Sequence, residues 1–325
     1  RVNGTENLVA VISWRRARLD IALITADNKI AFRDQIPLTE EEDKVDKITS
    51  TFFNIMKPKV GDRRIMGLCI IIPGIIDAEN KRILSTVIGV GYSDPVVQRF
   101  EEAFHDYPFC LLNDTACFAY AEYVFANITE PNFAYINVSK GVGACLFANG
   151  KMLRGAGSNA TQFGHFSVDR NGPLCACGNH GCVERVVGEN ALTERAEACG
   201  IDLTRFAGRK PLYCDIGAMA EDGDAHAKEL IKDLAVDLSF AISNLITLFN
   251  PSLVVIGGMG VNLGPFFLSN IRDEVQNSGF KEFVSNTWIQ YSTLGLDSEL
   301  GGAARYYIDH YYDFFEQMQG GLYAD

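Results

Sequence analysis

The spacing of apolar positions divides the first part of the chain into strands and helices. Apolar runs at Leu8–Ile12 and Asp20–Thr25, followed by the pair Ile30-Ala31, predict a meander of short strands. From Glu40 to Met56 the apolar residues recur at helical spacing, which predicts a helix. The remaining pattern of this part predicts strands over Met66–Ile72 and Phe109–Leu112 and helices over Pro95–Phe104 and Thr115–Phe125.

A second cycle of the same kind follows. It starts with two predicted strands, Phe133–Ser139 and Ala144–Phe147. Helices and strands then alternate, with predicted helices over Gly188–Ala198, Tyr213–Glu221, Ala225–Phe249, Pro265–Glu274 and Gly301–Gln317 and predicted strands over Leu253–Ile256 and Thr287–Ser292. Strand meanders followed by helix-connected strands thus occur twice, which indicates a mixed α/β chain with an internal duplication. A cleft between two such halves is the expected place for a ligand.

Composition narrows the class of protein. A length of 325 residues favours two domains, and a hydrophobic fraction of 47% is ample for buried cores. The net charge of -12 argues against direct binding of nucleic acid or of an anionic membrane by this chain. No apolar run is long enough to span a bilayer, because Pro73-Gly74 interrupts the run Leu68–Ile76. The first residue is Arg1 rather than Met, so we expect a trimmed chain or a domain cut from a longer protein.

Four potential metal ligands lie close together in the middle of the chain. His165, Cys175, Cys177 and Cys182 suit a closed, tetrahedral structural zinc site, and such dense clustering disfavours three unrelated buried cysteines. His180 lies inside the same loop and is an alternative ligand. The other six of the nine cysteines lie mostly in apolar surroundings, where free cysteine behaves as a small hydrophobe, which favours a reducing, cytoplasmic location.

The arrangement Gly164-His165, then Cys175-x-Cys177-Gly178-x-x-Gly181-Cys182-x-Glu184, resembles the signature of the ROK family of repressors, open reading frames and sugar kinases. The resemblance implies that His165 and the three cysteines bind structural zinc, and that His165 and Glu184 face a sugar. It also implies a two-domain, actin-like and hexokinase-like (ribonuclease H-like) α/β fold with an interdomain cleft. The final helix would pack back on the first domain, so that the domains comprise residues 1–120 with 301–325 and residues 121–300.

The resemblance assigns further residues to the sugar. Family kinases bind the sugar with an Asn-Asp pair, in which the aspartate accepts the proton of the attacking hydroxyl. Asn113-Asp114 matches this pair. Without the resemblance, Asp114 would more readily be interpreted as a helix N-cap. Gln162 stands where the family usually has a glutamate that binds sugar hydroxyls, and it keeps an acceptor oxygen while losing the charge. Pro73-Gly74 matches a Pro-Gly turn beside the sugar, although a plain strand-ending turn is equally consistent with these two residues.

The segments that match the phosphate-binding loops of the family kinases differ from them in sequence. Where the kinases read Asp-x-Gly-Gly-Thr, this chain reads Ser13-Trp14-Arg15-Arg16-Ala17, and we expect the Trp and Arg side chains to fill the space that phosphates need. Only part of the second phosphate loop remains, as Gly141 and Gly143, whereas the loop beginning Gly257-Gly258 is intact. Repressors of the family often read Ile-Ser-Arg-Gly at the first loop, which Ile12–Arg15 resembles more closely.

Two functions follow from the resemblance. The first is the effector domain of a transcriptional regulator of the NagC and XylR type, which binds a sugar or sugar phosphate and reaches DNA only through a winged helix-turn-helix that these residues do not contain. The second is an ATP-dependent sugar kinase, of glucokinase or N-acetylhexosamine kinase type, with Asp114 as the catalytic base, the four glycines 141, 143, 257 and 258 at the nucleotide, and magnesium as a cofactor. The regulator is favoured because the phosphate-binding residues are replaced. We expect a homodimer or homotetramer, and the pattern does not identify the sugar.

Overall fold

A computed structural model describes residues 4–86, 88, 90, 94–156, 160–279 and 281–312. The chain divides into two compact units. The first comprises Arg1–Ile128, Ala156–Asn159 and Leu294–Asp325, and the second comprises Thr129–Gly155 and Ala160–Thr293. The predicted domain division after residue 120 falls inside a helix that lies wholly in the first unit.

The first unit is built on a five-stranded sheet. In chain order its strands and those of a small hairpin are β1 (Asn7–Trp14), β2 (Arg18–Thr25), β3 (Ile30–Pro37), β4 (Arg64–Ile72), β5 (Gly74–Asp77), β6 (Arg82–Thr86) and β7 (Phe109–Asn113). The sheet order is β3-β2-β1-β4-β7, in which β1 to β3 form an antiparallel meander and β4 and β7 continue it in parallel. The strands β1 and β4 are almost wholly buried, which explains their continuous apolar runs.

The helices of the first unit cover this sheet. They are α1 (Lys44–Thr51), α2 (Val96–Ala103) and α3 (Asp114–Phe125), together with the C-terminal helix α10 (Ser298–His310). The predicted helix Glu40–Met56 is shorter at its start, because Asp43 caps α1 through the N–H groups of Val45 and Asp46, and it ends in a π-helical turn, Phe52–Met56. Helix α10 packs against α3, β1 and β4, so the end of the chain completes the core of its beginning.

A hairpin follows β4, which ends at Ile72 as the pattern predicted. The apolar run Leu68–Ile76 is not one strand: β4 ends at Ile72, and Gly74 begins the separate hairpin of β5 and β6. Gly74 has a φ of 156°, and a Cβ there would lie 2.2 Å from the carbonyl oxygen of Ser85. The turn therefore requires glycine for its own packing.

The second unit has a similar plan. Its strands are β8 (Phe133–Val138), β9 (Val142–Ala148), β10 (Lys151–Met152), β11 (Leu253–Gly257) and β12 (Trp288–Tyr291), in the order β10-β9-β8-β11-β12. Its helices are α4 (Val183–Val187), α5 (Glu189–Ala198), α6 (Tyr213–Glu221), α7 (Ala225–Phe249), α8 (Gly264–Asn277) and α9 (Lys281–Val284). Antiparallel pairing of β8 with β9 and parallel pairing of β8, β11 and β12 repeat the arrangement of the first sheet, which confirms the predicted duplication.

Most predicted elements lie where the pattern placed them. The helices α6 and α7 have the predicted bounds, and α7 ends where Asn250 adopts a left-handed conformation with φ of 50° before Pro251. The final helix begins earlier than predicted, at Ser298, and ends at His310, while residues 313–317 of that prediction lie outside the described residues. Within the described residues, no helix has the length and apolar character needed to cross a membrane.

Candidate functional site

The four predicted metal ligands come together in the second unit. The ligand atoms of His165, Cys175, Cys177 and Cys182 all lie within 4.8 Å of one another. The sulfurs of Cys177 and Cys182 are 3.6 Å apart, and the Cys175 sulfur lies 3.6 Å from Nδ1 of His165. A tetrahedral zinc with bonds of about 2.3 Å to sulfur and 2.0–2.1 Å to nitrogen would require separations of about 3.6–3.8 Å. The donor set and its spacing therefore fit a tetrahedral metal ion.

Tight turns bring the thiols together. The N–H of Cys175 donates to the carbonyl of Asn179, and the N–H of Gly178 donates to the carbonyl of Cys175. Gly178 and Gly181 have φ values of 90° and 59°, the left-handed region in which glycine is favoured. At Gly181 a Cβ would also lie 1.8 Å from the carbonyl oxygen of Asp169. The glycines that the sequence pattern singled out are thus required by the loop itself.

His180 does not belong to this cluster. Its side chain is exposed, and its Nδ1 lies 3.0 Å from the carbonyl oxygen of Gly172. Its backbone carbonyl accepts a hydrogen bond from the hydroxyl of Ser167, which ties the loop to the segment that follows His165. Of the two candidate histidines, His165 is the one whose ring lies with the thiols.

Glu184 lies in the first turn of α4, two residues after the last cysteine. Its Oε2 accepts a hydrogen bond of 3.2 Å from the N–H of Val142 at the start of β9. A Cβ on Gly141 would lie 2.5 Å from the same oxygen, so glycine at position 141 is explained by contact with this carboxylate. The metal loop therefore places Glu184 against the loop between β8 and β9.

Gln162 borders an apolar cavity of the second unit. The cavity has a volume of about 240 Å³, and most of its lining comes from aliphatic and aromatic side chains. Gln162 and Asn244 are its amide-bearing members, and Phe166 and Leu248 are among the apolar ones. A sugar needs convergent polar groups, so this cavity is not suited to bind one.

Asn113 and Asp114 join β7 to α3 in the first unit. The N-cap is Asn113, whose Oδ1 accepts from the N–H of Ala116 at 3.0 Å, and Asp114 is the first helical residue. The Asn113 amide also donates to the carbonyl of Gly74 at 2.6 Å. Three of the predicted sugar contacts, Gly74, Asn113 and Asp114, are therefore neighbours, and Pro73 precedes Gly74 directly after β4. Because capping falls to Asn113, the alternative of Asp114 as N-cap is wrong.

The carboxyl of Asp114 is partly buried at the helix start. Its Oδ1 accepts from the N–H of Thr115 at 2.8 Å and from the Asn113 amide at 3.2 Å. Burial raises the pKa of Asp114, and the positive charge of Arg15 opposes that rise. A carboxyl in such surroundings can exchange a proton with a bound hydroxyl more readily than an exposed one can.

The turn between β1 and β2 differs from the expected arrangement. The side chain of Trp14 is 2% exposed and packs in the core, so the expectation that it fills phosphate space is wrong. The reason is strand alternation: Trp14 pairs with Leu19 as the last residue of β1 and points into the core with Ile12. The turn itself is tight, because the N–H of Arg15 donates to the carbonyl of Arg18.

Arg15 occupies a cluster of acidic side chains. Its guanidinium donates to the carboxylate of Glu299 at the start of α10, and its Nε lies 3.5 Å from a carboxylate oxygen of Asp20. Asp20 also accepts from the Gln35 amide at 2.7 Å and from Arg18 at 2.9 Å. The charges of Arg15 and Arg18 are therefore largely neutralised within the protein.

Glu299 is a member of the site that the sequence reasoning missed. It is 1% exposed, and its Oε2 has no hydrogen-bond partner among the described residues. Burial raises the pKa of Glu299 to about 7, with Arg15 opposing and the charge of Asp114 adding to the rise. The sequence signal that could have found it is its helical spacing from Gly302, Ala303 and Tyr306, which lie on the buried face of α10.

The glycines assigned to a nucleotide have packing explanations. A Cβ on Gly257 would lie 2.2 Å from the hydroxyl of Tyr135, and one on Gly258 would lie 2.2 Å from Oδ1 of Asn137. Gly258 also has a φ of 78°. Gly143 lies in β9 and pairs with Asn137. Glycine at 257 and 258 is therefore required by the contact of β11 with β8, whether or not a nucleotide binds.

The chain is similar to proteins of one known family. The profile of the ROK family matches residues 13–309. The xylose repressor of Bacillus subtilis (strain 168) is 26% identical over 250 residues, which are 77% of this chain and 62% of the repressor. The chain thus spans less than two thirds of the length of that relative.

Solved structures of the family share the fold. A ROK family transcriptional regulator, a homologue of the Escherichia coli MLC protein, aligns with a TM-score of 0.80 at 24% identity over 93% of this chain and 78% of that one. A ROK family glucokinase from Streptomyces griseus, in complex with glucose and AMPPNP, aligns with a TM-score of 0.76 at 23% identity over 91% and 98% of the two chains. The chain has the mixed α/β, actin-like fold of these proteins. It is a member of the ROK family.

Proposed function

We propose that this chain is the sugar-binding effector domain of a ROK-family transcriptional regulator. The observation that carries the proposal is the turn Arg15–Arg18, where the resemblance places the first phosphate loop of the kinases. Its backbone closes on itself, Arg15 is held by Glu299 and Asp20, and Arg18 pairs with Asp20. Phosphoryl transfer depends on groups that position and neutralise phosphates, and a cation already paired with carboxylates is poorly suited to that task.

Each unit taken by itself carries proposed sugar-contact residues. In the first unit they are Pro73, Gly74, Asn113 and Asp114. The side-chain amide of Asn113 donates hydrogen bonds to the carbonyl of Gly74 and to the carboxyl of Asp114. In the second unit they are Gln162, His165 and Glu184, and the support is strongest for Glu184, which the metal loop and α4 position. Carboxylates and amides that accept and donate hydrogen bonds are the groups that recognise sugar hydroxyls.

We propose zinc as the metal of the Cys/His cluster. Three thiols and one imidazole are the ligands that a structural zinc prefers, and their spacing fits a tetrahedron. Zinc would fix the loop from His165 to Cys182 and thereby the start of α4, which carries Glu184. Its role would be to hold this segment, because four protein ligands leave no open position for catalysis.

Assembly and DNA contact belong to the same proposal. The xylose repressor and the regulator homologous to MLC are transcriptional proteins, and we propose that DNA would be contacted by a helix-turn-helix outside these 325 residues. A homodimer or homotetramer is supported by exposed apolar side chains on one face of α7, among them Phe240 at 52% and Leu248 at 81% exposure. Light scattering after size-exclusion chromatography tests the assembly: a monomer at micromolar concentration would contradict it.

The second candidate is an ATP-dependent sugar kinase. The observation in its favour is Asp114, a partly buried carboxyl with a raised pKa that could accept a hydroxyl proton. In that case Gly141, Gly143, Gly257 and Gly258 would lie at the nucleotide and magnesium would accompany ATP. Packing already explains three of these glycines, so they do not favour a kinase over a sensor.

Thermal unfolding with and without sugars tests sugar binding, and an assay of phosphate transfer from ATP separates the two candidates. A sugar that binds the folded chain raises its melting temperature by mass action, and we expect this for at least one of glucose, xylose, N-acetylglucosamine and N-acetylmannosamine. Asp114→Asn should abolish the shift, whereas Asp106→Asn, at an exposed aspartate of the same unit, should keep it. Transfer of phosphate from ATP to any of these sugars, lost in Asp114→Asn, would establish the kinase instead.

A further inference from the structure

We propose that the second half of α7 packs antiparallel against the same half of α7 in a second copy of this chain, with Asn244 on the twofold axis. The inference rests on the proposed assembly and deepens it, because it names the contacting surface, its direction and its register. The surface is the uncharged half of α7, residues 238–249, and it lies wholly in the second unit.

The solvent-facing side of α7 changes in character along the helix. Its first half exposes four charged side chains, which are Lys228, Glu229, Lys232 and Asp233. The uncharged half contains no acidic or basic residue, and Phe240 and Leu248 are exposed there. An exposed helix face is ordinarily polar or charged, whereas missing charge and an exposed aromatic ring are typical of the core of a protein interface. The uncharged half is therefore suited to contact a protein partner.

The same surface carries both a projecting ring and an apolar cavity. The cavity of about 240 Å³ is lined by side chains of α7 and of residues 161–166, among them Leu245, Leu248, Phe163 and Phe166. The exposed ring of Phe240 precedes this lining on the helix. A cavity of about 150 Å³ suffices for benzene, so this one can accept a phenyl ring. A twofold interface uses the same patch on both copies, so ring and cavity must share one patch, as they do here.

Asn244 sets the register of the pair. It lies one turn after Phe240 and one turn before Leu248, and its amide makes no hydrogen bond within the described part of the chain. In an antiparallel pair centred on Asn244, Phe240 of one copy faces Leu248 of the other, and the two amides face each other. An amide both donates and accepts hydrogen bonds, so it can pair with its own image, whereas a charged side chain there would repel its image.

A small apolar ligand is the alternative occupant of the cavity. Such a ligand would leave Val236 and Phe240 exposed, since neither side chain lines the cavity. Together with Asn244 and Leu248 these side chains recur every four residues along α7, and such a ridge is what one helix places in the groove of another. A second helix covers the ridge as well as the cavity, so a second copy accounts for more of this surface.

Light scattering after size-exclusion chromatography of the purified chain tests the register. We expect the natural chain to form a dimer or tetramer at micromolar concentration. Asn244→Asp and Asn244→Lys each bring two like charges to the axis. Each should raise the dissociation constant about thirtyfold or more, so that the mass falls toward half. A mixture of equal amounts of the two variants should regain the natural mass, because opposite charges then meet across the axis.

A matched pair of phenylalanine variants tests the projecting ring. Phe240→Asp should lower the mass in the same way, because it removes the ring that fills the cavity of the other copy. Phe266→Asp, at an exposed phenylalanine of α8, should leave the mass unchanged. Circular dichroism shows whether each variant is folded, and if a variant of Asn244 does not fold, the two phenylalanine variants decide.

Three results would overturn the inference. A monomeric natural chain would overturn it together with the proposed assembly. A mass that withstands both Asn244→Asp and Phe240→Asp would overturn the inference alone and leave the cavity to a small apolar ligand. Folded variants of Asn244 that lose the assembly but do not regain it on mixing would show that Asn244 does not meet its own counterpart.

Discussion

The buried carboxyl of Glu299 should make the stability of the first unit depend on pH near neutrality. Its pKa rises from an ordinary value of 4.5 to about 7 in the folded protein because it is almost wholly buried. The folded state then holds the proton more tightly than the unfolded state. The stabilisation is fully present below about pH 4.5 and is lost as pH rises to about 7.

The size of the effect follows from the shift. A change of one unit in pKa corresponds to about 1.4 kcal/mol, so this carboxyl should account for a loss of about 3 kcal/mol in the free energy of unfolding across that range. Glu299→Gln cannot ionise and should remove this component. The raised pKa of Asp114 acts in the same direction and remains in the variant, so the difference between the two proteins isolates Glu299.

Urea denaturation at pH 5, 6, 7 and 8, at constant ionic strength, measures the difference. Trp14 is buried beside Arg15 in the first unit, whereas Trp288 is 62% exposed in the second. In a Trp288→Phe background, fluorescence therefore reports unfolding of the first unit. A flat difference curve between the natural residue and Glu299→Gln would refute the reasoning, because it would mean that the pKa of Glu299 is ordinary in the folded state. A curve that rises with pH would also refute it, because it would mean that folding lowers this pKa.

Three further changes test other parts of the structure. Cys177→Ser should abolish equimolar zinc binding, measured by atomic emission, and lower the melting temperature by about 5 °C or more, whereas His180→Ala should retain the metal. Gly302→Ala should lower the free energy of unfolding in urea by about 1–3 kcal/mol, since its Cβ would lie 2.0 Å from a backbone carbonyl of α3. Gly301→Ala should lower it clearly less, because its Cβ meets only an aromatic side chain at 3.1 Å, and equal losses would contradict this packing. Gly258→Ala should destabilise the second unit without any nucleotide present by about 1–3 kcal/mol, and an unchanged midpoint would mean that the contact of β11 with β8 does not require glycine.

Local sequence signals were sufficient where a feature depends on neighbours along the chain. Helix α7 has the predicted bounds because its apolar period is long and Asn250-Pro251 ends it. The metal cluster was predictable because its thiols are only a few residues apart and glycines allow the loop to turn. The end of β4 was predictable from Pro73-Gly74, but the pairing of β5 with β6 was not, because it depends on the contact of Gly74 with Ser85.

The sequence by itself determined the two alternating α/β cycles and the candidate metal ligands His165, Cys175, Cys177 and Cys182. It also indicated that the chain belongs to the ROK family. Only the tertiary structure decided what the altered turn after β1 does. Strand alternation turns Trp14 into the core, and the packing of α10 brings Glu299 to Arg15 across 284 residues of sequence. Local patterns report periodicity and turn chemistry, whereas the partner of a buried charge is set by which elements pack together. The altered phosphate-loop residues already favoured a sensor over a kinase, and the structure adds the pair of Arg15 and Glu299, which no local pattern contains.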